Sequence, residues 1–200
     1  MDVAKKSARA LVSALALVLV IGTLTACGEA APTVTVPPGD YPDLTLAESK
    51  APAQLLRNEA VSRIPADVVL NAGSDIDGSE ACLSESEDPE GVIRRWKSSV
   101  DVNIRLPEAP NTQAIVDGVL ATFTDEGWMS QAITGTKANN QAHLLTNETA
   151  GAASVSLAQV RIEAIIASDE ASSFIHVEAI GPCVVTGGAS STEVTELGRL

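Results

Sequence analysis

Residues 100–106 read Val-Asp-Val-Asn-Ile-Arg-Leu, a strict alternation of apolar and polar side chains. Successive side chains of a β-strand point to opposite faces of a sheet, so this alternation predicts a strand with one buried and one exposed face. The pattern extends in part back to Ile93, and Pro107 follows its end. We therefore predict a long, half-buried strand over 93–106.

Further strand patterns surround this stretch. A short apolar run at 68–70 precedes it, and strands are predicted later at about 128–134, 142–146, 155–166 and 174–180. No crossover helix separates the later strands, so we expect them to be antiparallel. Apolar residues at helical spacing predict helices over about 47–62 and 111–126, and Gly127 is placed to end the second as a C′ glycine. The predicted fold is α+β: an antiparallel sheet of four to five strands with two helices packed on one face.

The amino terminus has the three-part order of a secretory signal. Lys5, Lys6 and Arg9 precede an apolar run over 11–24, and the exit resembles the bacterial lipobox, Leu24-Thr25-Ala26-Cys27. This resemblance implies that residues 1–26 are a lipoprotein signal peptide, cut between Ala26 and Cys27, and that Cys27 carries the acyl chains. The alternative is a transmembrane anchor, but the run is shorter than the ~20 residues that a spanning helix needs.

Composition divides the rest of the chain into three parts. Residues 27–45 contain Pro32, Pro37, Pro38 and Pro42 among small polar residues, which predicts an extended, lipidated tether. Residues 46–186 carry the helix and strand patterns and form a single α+β domain. Residues 187–200 are rich in Gly, Ser and Thr, and we predict a flexible carboxy-terminal tail.

The charge balance excludes some partners. The formal net charge of the whole chain is −13, and the predicted signal peptide carries three of the basic residues but only one acid, so the mature part is more acidic still. An acidic surface repels nucleic acid and anionic headgroups. We therefore expect no nucleic-acid partner, and expect contact with the membrane through the acyl chains alone.

The remaining cysteines, Cys82 and Cys183, form an even pair in a compartment that is expected to be oxidising, which predicts a disulfide. The alternative is two free thiols. Two thiolates without a nearby histidine are too few ligands for a metal.

No pattern indicates catalysis, a metal or a cofactor. The segment Asp75-Ile76-Asp77-Gly78 suggests a calcium loop, but Gly73 and Ser84 stand where an EF-hand requires oxygen ligands, so we interpret 71–90 as a solvated acidic loop. His143 and His176 are the only histidines, and neither lies in a metal-binding spacing or beside a nucleophile motif.

One basic segment is the best candidate for a partner contact: Arg94, Arg95, Trp96 and Lys97. The alternatives are that the charges protect a sheet edge from aggregation and that the tryptophan fills the core.

The overall arrangement resembles the small secreted lipoproteins of actinobacteria, the mycobacterial type included. The resemblance rests on the lipobox, the Cys82 segment ahead of Trp96, Gly127-Trp128 after a helix, and the terminal Gly181-Pro182-Cys183. It implies an extracytoplasmic location at the cell membrane and no particular activity. We expect a non-enzymatic binding or accessory domain whose partner is a protein or a small apolar ligand. The alternatives are a carrier of a lipid or small apolar ligand and a hydrolase with dispersed active-site residues.

Overall fold

The computed structural model describes residues 35–105, 111–133, 141–147, 158–166 and 173–199, which form three helices and eight strands. The helices are α1 (Leu46–Ser62), α2 (Thr112–Asp125) and α3 (Thr192–Leu197). The strands are β1 (Val69–Ala72), β2 (Ile76–Ala81), β3 (Ile93–Ile104), β4 (Met129–Ile133), β5 (Gln141–Thr146), β6 (Gln159–Ile165), β7 (Phe174–Ile180) and β8 (Val184–Val185). The fold is α+β with an antiparallel sheet, as predicted.

Four of the described strands pair with β3, the strand that the alternating sequence predicts. The strands lie in the order β1-β3-β7-β6-β5-β4, and every described pairing is antiparallel. Because β3 is twelve residues long, it pairs with β2 along its first half and with β1 along its last residues, while β7 and β8 pair with its other edge. The strands β1, β2, β7 and β8 thus pair with β3 itself, and β6, β5 and β4 follow β7 in the sheet.

The main core lies between one face of the sheet and the helices α1 and α2. Val100 and Val102 of β3 and Val177 of β7 pack there against Phe123 of α2 and Ala60 of α1. Burial of each large apolar side chain stabilises the fold by about 1.5–3 kcal/mol, so this layer is the main source of stability. A second, smaller cluster surrounds Trp96 beneath the first half of α1.

Local sequence signals set the ends of both long helices. Thr45 and Glu48 form a reciprocal capping box at the start of α1. At the end of α2, the N–H groups of Gly127 and Trp128 donate to the carbonyl oxygens of Thr124 and Phe123, and Gly127 has a φ of +89°. This is a Schellman motif, so the predicted C′ glycine is confirmed.

The sheet has eight described strands rather than the predicted four to five, because the short run before β3 forms β1 and because β2 and β8 form outside the predicted strands. β2 lies inside the predicted acidic loop of 71–90 and is held by the long first half of β3. Its residues include Gly78 and two acids, which have low strand propensity, so tertiary pairing determines its conformation.

The predicted flexible tail, 187–200, instead contains α3. Ser191 caps this helix, and Val194 and Leu197 pack against the Trp96 cluster. The carboxylate of Glu193 also accepts a hydrogen bond from the backbone N–H of Leu46, at 2.7 Å. Apolar residues at helical spacing in a Ser- and Thr-rich segment therefore secure the tail to α1.

Part of the predicted tether also contacts the domain. Tyr41 packs against the cluster of Val92, Ile93 and Cys183, and Thr45 caps α1. The earlier part of the tether, 27–34, lies outside the described residues, as does the predicted signal peptide.

A disulfide joins Cys82 to Cys183, as the cysteine count predicts, and closes a sequence separation of 101 residues. It ties the end of β2 to the segment between β7 and β8. Within the part of the chain that the structure describes, no helix combines the length and apolarity needed to cross a membrane.

Candidate binding surface

The strands divide their side chains between two faces of the sheet, because residues paired across antiparallel strands share a face. One face packs on α1 and α2. The other, here called the polar face, carries a set of mixed charges from four adjacent strands. These residues are Glu80 of β2; Arg95, Lys97, Ser99 and Asp101 of β3; His176 and Glu178 of β7; and Arg161 and Glu163 of β6.

The closest contact at the centre of the polar face joins β3 to β7. His176 stands directly across from Asp101, and its Nδ1 lies 2.6 Å from Asp101 Oδ1. Its Nε2 lies 4.0 Å from Glu178 Oε2, which is ion-pair rather than hydrogen-bond distance. Glu178 and then Asp101 favour the protonated imidazole and outweigh its partial burial, so they raise the pKa of His176. The same histidine lowers the pKa of Glu178.

A second group of charges lies beside the first half of β3. Glu80 Oε1 accepts from Arg95 Nε at 2.8 Å, and its Oε2 lies 2.8 Å from Lys97 Nζ. Burial opposes ionisation of Glu80, but the two cations outweigh this effect and lower its pKa. Glu80 in turn raises the pKa of Lys97. The two basic residues are therefore paired within the chain.

A third pair extends the polar face onto β6. Arg161 NH2 lies 2.6 Å from Glu163 Oε2, and the Glu163 side chain is only 9% exposed. Arg161 also stands across from Glu178, which links this pair to the histidine. Positive and negative groups thus alternate over a surface three to four strands wide, so the polar face is nearly balanced in charge although the whole chain is acidic.

The predicted basic contact, Arg94 to Lys97, does not form one patch. Because β3 alternates, Arg95 and Lys97 lie on the polar face while Arg94 and Trp96 point the other way. Trp96 is 1% exposed and fills the core beneath α1, with Lys50 Nζ 4.5 Å from the centre of its ring. Arg94 donates from its guanidinium to the hydroxyl and carbonyl oxygens of Ser79. Two of the four residues are therefore available on one surface.

Beneath α1, carboxylates from the predicted acidic loop meet Arg57, which is 5% exposed. Asp75 lies 2.9 Å and Asp77 lies 3.6 Å from the guanidinium. Asp77 also accepts the indole N–H of Trp96 at 3.0 Å. Burial opposes ionisation of Asp77, but the Trp96 and Gln54 hydrogen bonds and the Arg57 charge outweigh it and lower its pKa. These acids hold β2 against α1, and no group of three metal-ligating side chains occurs within the described residues.

The two histidines lie on opposite faces of the sheet. His143 stands across from Ile162 on the helix-packed face, whereas His176 lies on the polar face. His143 Nδ1 is 3.3 Å from the hydroxyl of Ser130 on β4. A single active site cannot use both imidazoles, because the sheet separates them.

The predicted lipidation residue Cys27 and cleavage residue Ala26 lie outside the described residues. In comparisons with known protein families, curated proteins and solved structures, no match to this chain was found.

Sequence reasoning missed the polar face as a unit. The alternation around Asp101 and around His176 places each residue on the side of its strand away from the core. The sequence therefore allowed the face of each residue to be predicted. The register that brings these two residues together is set by long-range strand pairing, which one sequence does not reveal.

Proposed function

We propose that the protein is a cell-envelope lipoprotein, held at the outer side of the cell membrane by acyl chains on Cys27, whose domain binds a protein partner without catalysis. The proposal takes residues 1–26 as a cleaved signal peptide. The observation that supports it best is the Cys82–Cys183 disulfide, because such bonds persist in extracytoplasmic compartments and are rare in a reducing cytosol.

The polar face is the surface that we assign to the partner. Its charges are mixed in sign, partly exposed and carried by the central strands, so they are held in a rigid pattern. Surfaces of this kind select partners by charge complementarity. A partner that presents a matching order of acids and bases would exchange intramolecular ion pairs for intermolecular ones. Arg95 and Lys97, on the first half of β3, are the basic part of this surface.

The carrier and hydrolase alternatives receive less support. Buried side chains such as Phe123, Leu145 and Ile162 cluster between the sheet and the helices, where a carrier would need space for its ligand. For the hydrolase, both ring nitrogens of His176 face carboxylates, so neither is directed at a nucleophile. His143 contacts Ser130 but shows no acidic partner among the described contacts.

The test of the lipoprotein proposal is the intact mass of the protein extracted from its native membrane, before and after reduction. We expect a mass that begins at Cys27, carries a diacylglycerol adduct, and rises by two protons on reduction. A Cys27→Ser variant should carry no diacylglycerol adduct. An unmodified chain that retains residues 1–26 contradicts the proposal.

The test of the binding surface is site-specific photo-crosslinking in the native membrane. A photoreactive residue at Asp101, which is exposed on the polar face, should give a discrete adduct. The matched control is the same group at Asp117, which is exposed on the outer side of α2. Equal labelling from both positions argues against the polar face as the partner surface.

A further inference from the structure

The chain segment that precedes α1 packs against one end of the sheet. Tyr41 packs against Val92, Ile93 and Cys183, next to the disulfide and the first residue of β3. Its ring lies over Gly39 and leaves no room there for a Cβ. The chain therefore approaches the domain along the disulfide end, defined here as residues 82–93 with Cys183.

The described residues before Tyr41 lie beside the same end of the sheet. Thr35 to Pro38 line one side of a cavity of about 360 Å³, and Glu87 to Glu90 line the other. The Asp88 carboxylate is used within the domain, where it accepts the N–H groups of Val92 and Ile93 at 2.9 and 2.7 Å. Residues 35–41 thus run beside a loop that is itself fixed to the start of β3.

The position of Thr35 beside this loop limits how far the preceding chain can reach. Eight residue steps separate Cys27 from Thr35. A fully extended chain spans at most ~3.6 Å per residue, so the acylated cysteine lies within about 29 Å of the disulfide end. The opposite end of β3 is much farther along the sheet, because twelve residues of strand span about 40 Å at ~3.3 Å each.

We propose that the domain stands on the membrane with its disulfide end towards the bilayer and the strands pointing away from it. This inference rests on the proposed lipidation of Cys27. It also extends that proposal to the binding surface. In this orientation the polar face runs along the side of the domain, where a partner in the same membrane can contact it. Glu85, Glu87 and Glu90 lie in this end, so anionic headgroups oppose the orientation and the short tether must outweigh that repulsion.

The test is energy transfer from the domain to an acceptor on lipid headgroups, in the full lipidated protein reconstituted into phosphatidylcholine vesicles. A donor dye is attached through an unnatural amino acid at Glu85, in the disulfide end, or at Asp67, just before β1 at the other end. Both positions are exposed. We expect strong transfer from position 85 and transfer near background from position 67.

The outcomes separate the two proposals. A chain that carries no lipid and does not bind the vesicles contradicts the lipoprotein proposal. A lipidated, vesicle-bound chain with equal transfer from both positions, or with more from position 67, overturns the orientation alone.

A second pair of variants tests the cause of the orientation. Tyr41→Ala removes the ring that holds the segment, so the transfer from the two positions should become more alike, while Tyr41→Phe should keep the wild-type difference. Unchanged circular dichroism shows that both variants are folded. An undiminished difference in Tyr41→Ala contradicts the packed tether as the orienting element.

Discussion

The two faces of β3 carry neighbouring residues of one strand into opposite environments. Trp96, Val100 and Val102 point to the helices and are nearly inaccessible to solvent. Lys97 and Asp101 point the other way and make ion pairs with side chains of neighbouring strands. The same backbone thus supports a dry, close-packed layer on one side and a partly hydrated set of charges on the other.

The difference between the close-packed face and the charged face indicates that the two faces have separate physical roles. Close packing is sensitive to the loss of a few methylene groups, whereas partly exposed ion pairs contribute about 0–1 kcal/mol each. The helix-packed face therefore stabilises the fold, and the polar face is free to change for recognition at little cost in stability.

The largest expected effect comes from the packed face. Trp96→Ala removes the central side chain of the cluster beneath α1, and we expect the free energy of unfolding to fall by about 3–5 kcal/mol. Lys97→Ala, the next residue on the polar face, should cost less than about 1 kcal/mol. Urea unfolding followed by circular dichroism measures both. A similar loss of unfolding free energy in the two variants would contradict the separate roles of the two faces.

The disulfide adds stability that belongs to neither face. Replacing both Cys82 and Cys183 by Ser should lower the free energy of unfolding by about 2–4 kcal/mol, because the unfolded chain is no longer constrained across 101 residues. Reductant should destabilise the wild type to the level of this double variant and leave the variant unchanged. Equal stability of the wild type and the double variant would show that the cross-link contributes nothing.

The sequence was sufficient for features that depend on local pattern. The alternation over 100–106 predicted β3, the two cysteines after Cys27 predicted the disulfide, and Gly127 predicted the end of α2. Features that depend on distant partners were missed. β2 exists because β3 offers it an edge, α3 is held by Trp96 and Leu46, and Tyr41 is fixed by residues around Cys183.

Asp77 of β2 contacts both Trp96 of the sheet and Arg57 of α1. Its replacement should have an intermediate effect on the free energy of unfolding. Asp77→Ala leaves the indole N–H of Trp96 without its acceptor and removes one carboxylate from buried Arg57, so we expect a loss of about 1–3 kcal/mol. Asp75→Ala is the matched control: its side chain is 52% exposed, and Arg57 keeps Asp77, so the loss should be smaller. Thermal unfolding of both variants ranks them, and the reverse ranking contradicts a structural role for Asp77.

The smallest effect is a pH dependence of stability that arises on the polar face. Glu178 and Asp101 raise the pKa of His176 above its usual value of 6.5. Folding therefore favours the protonated imidazole, so this contribution is fully present below pH 6.5 and is lost as the pH rises through the folded-state pKa. We expect the loss to be below about 1 kcal/mol, because the imidazole and its partners remain partly exposed.

His176→Gln should remove this part of the pH profile, while His143→Gln should keep it because the pair with Asp101 is intact. The charged groups around His176 are Asp101 on β3, Glu178 on its own strand, and Glu163 and Arg161 on β6, so added salt should also flatten the profile. Unfolding free energies between pH 6 and pH 9 measure the slope. If the slope persists in His176→Gln and disappears in His143→Gln, the titrating group lies on the packed face, and its assignment to the polar face is wrong.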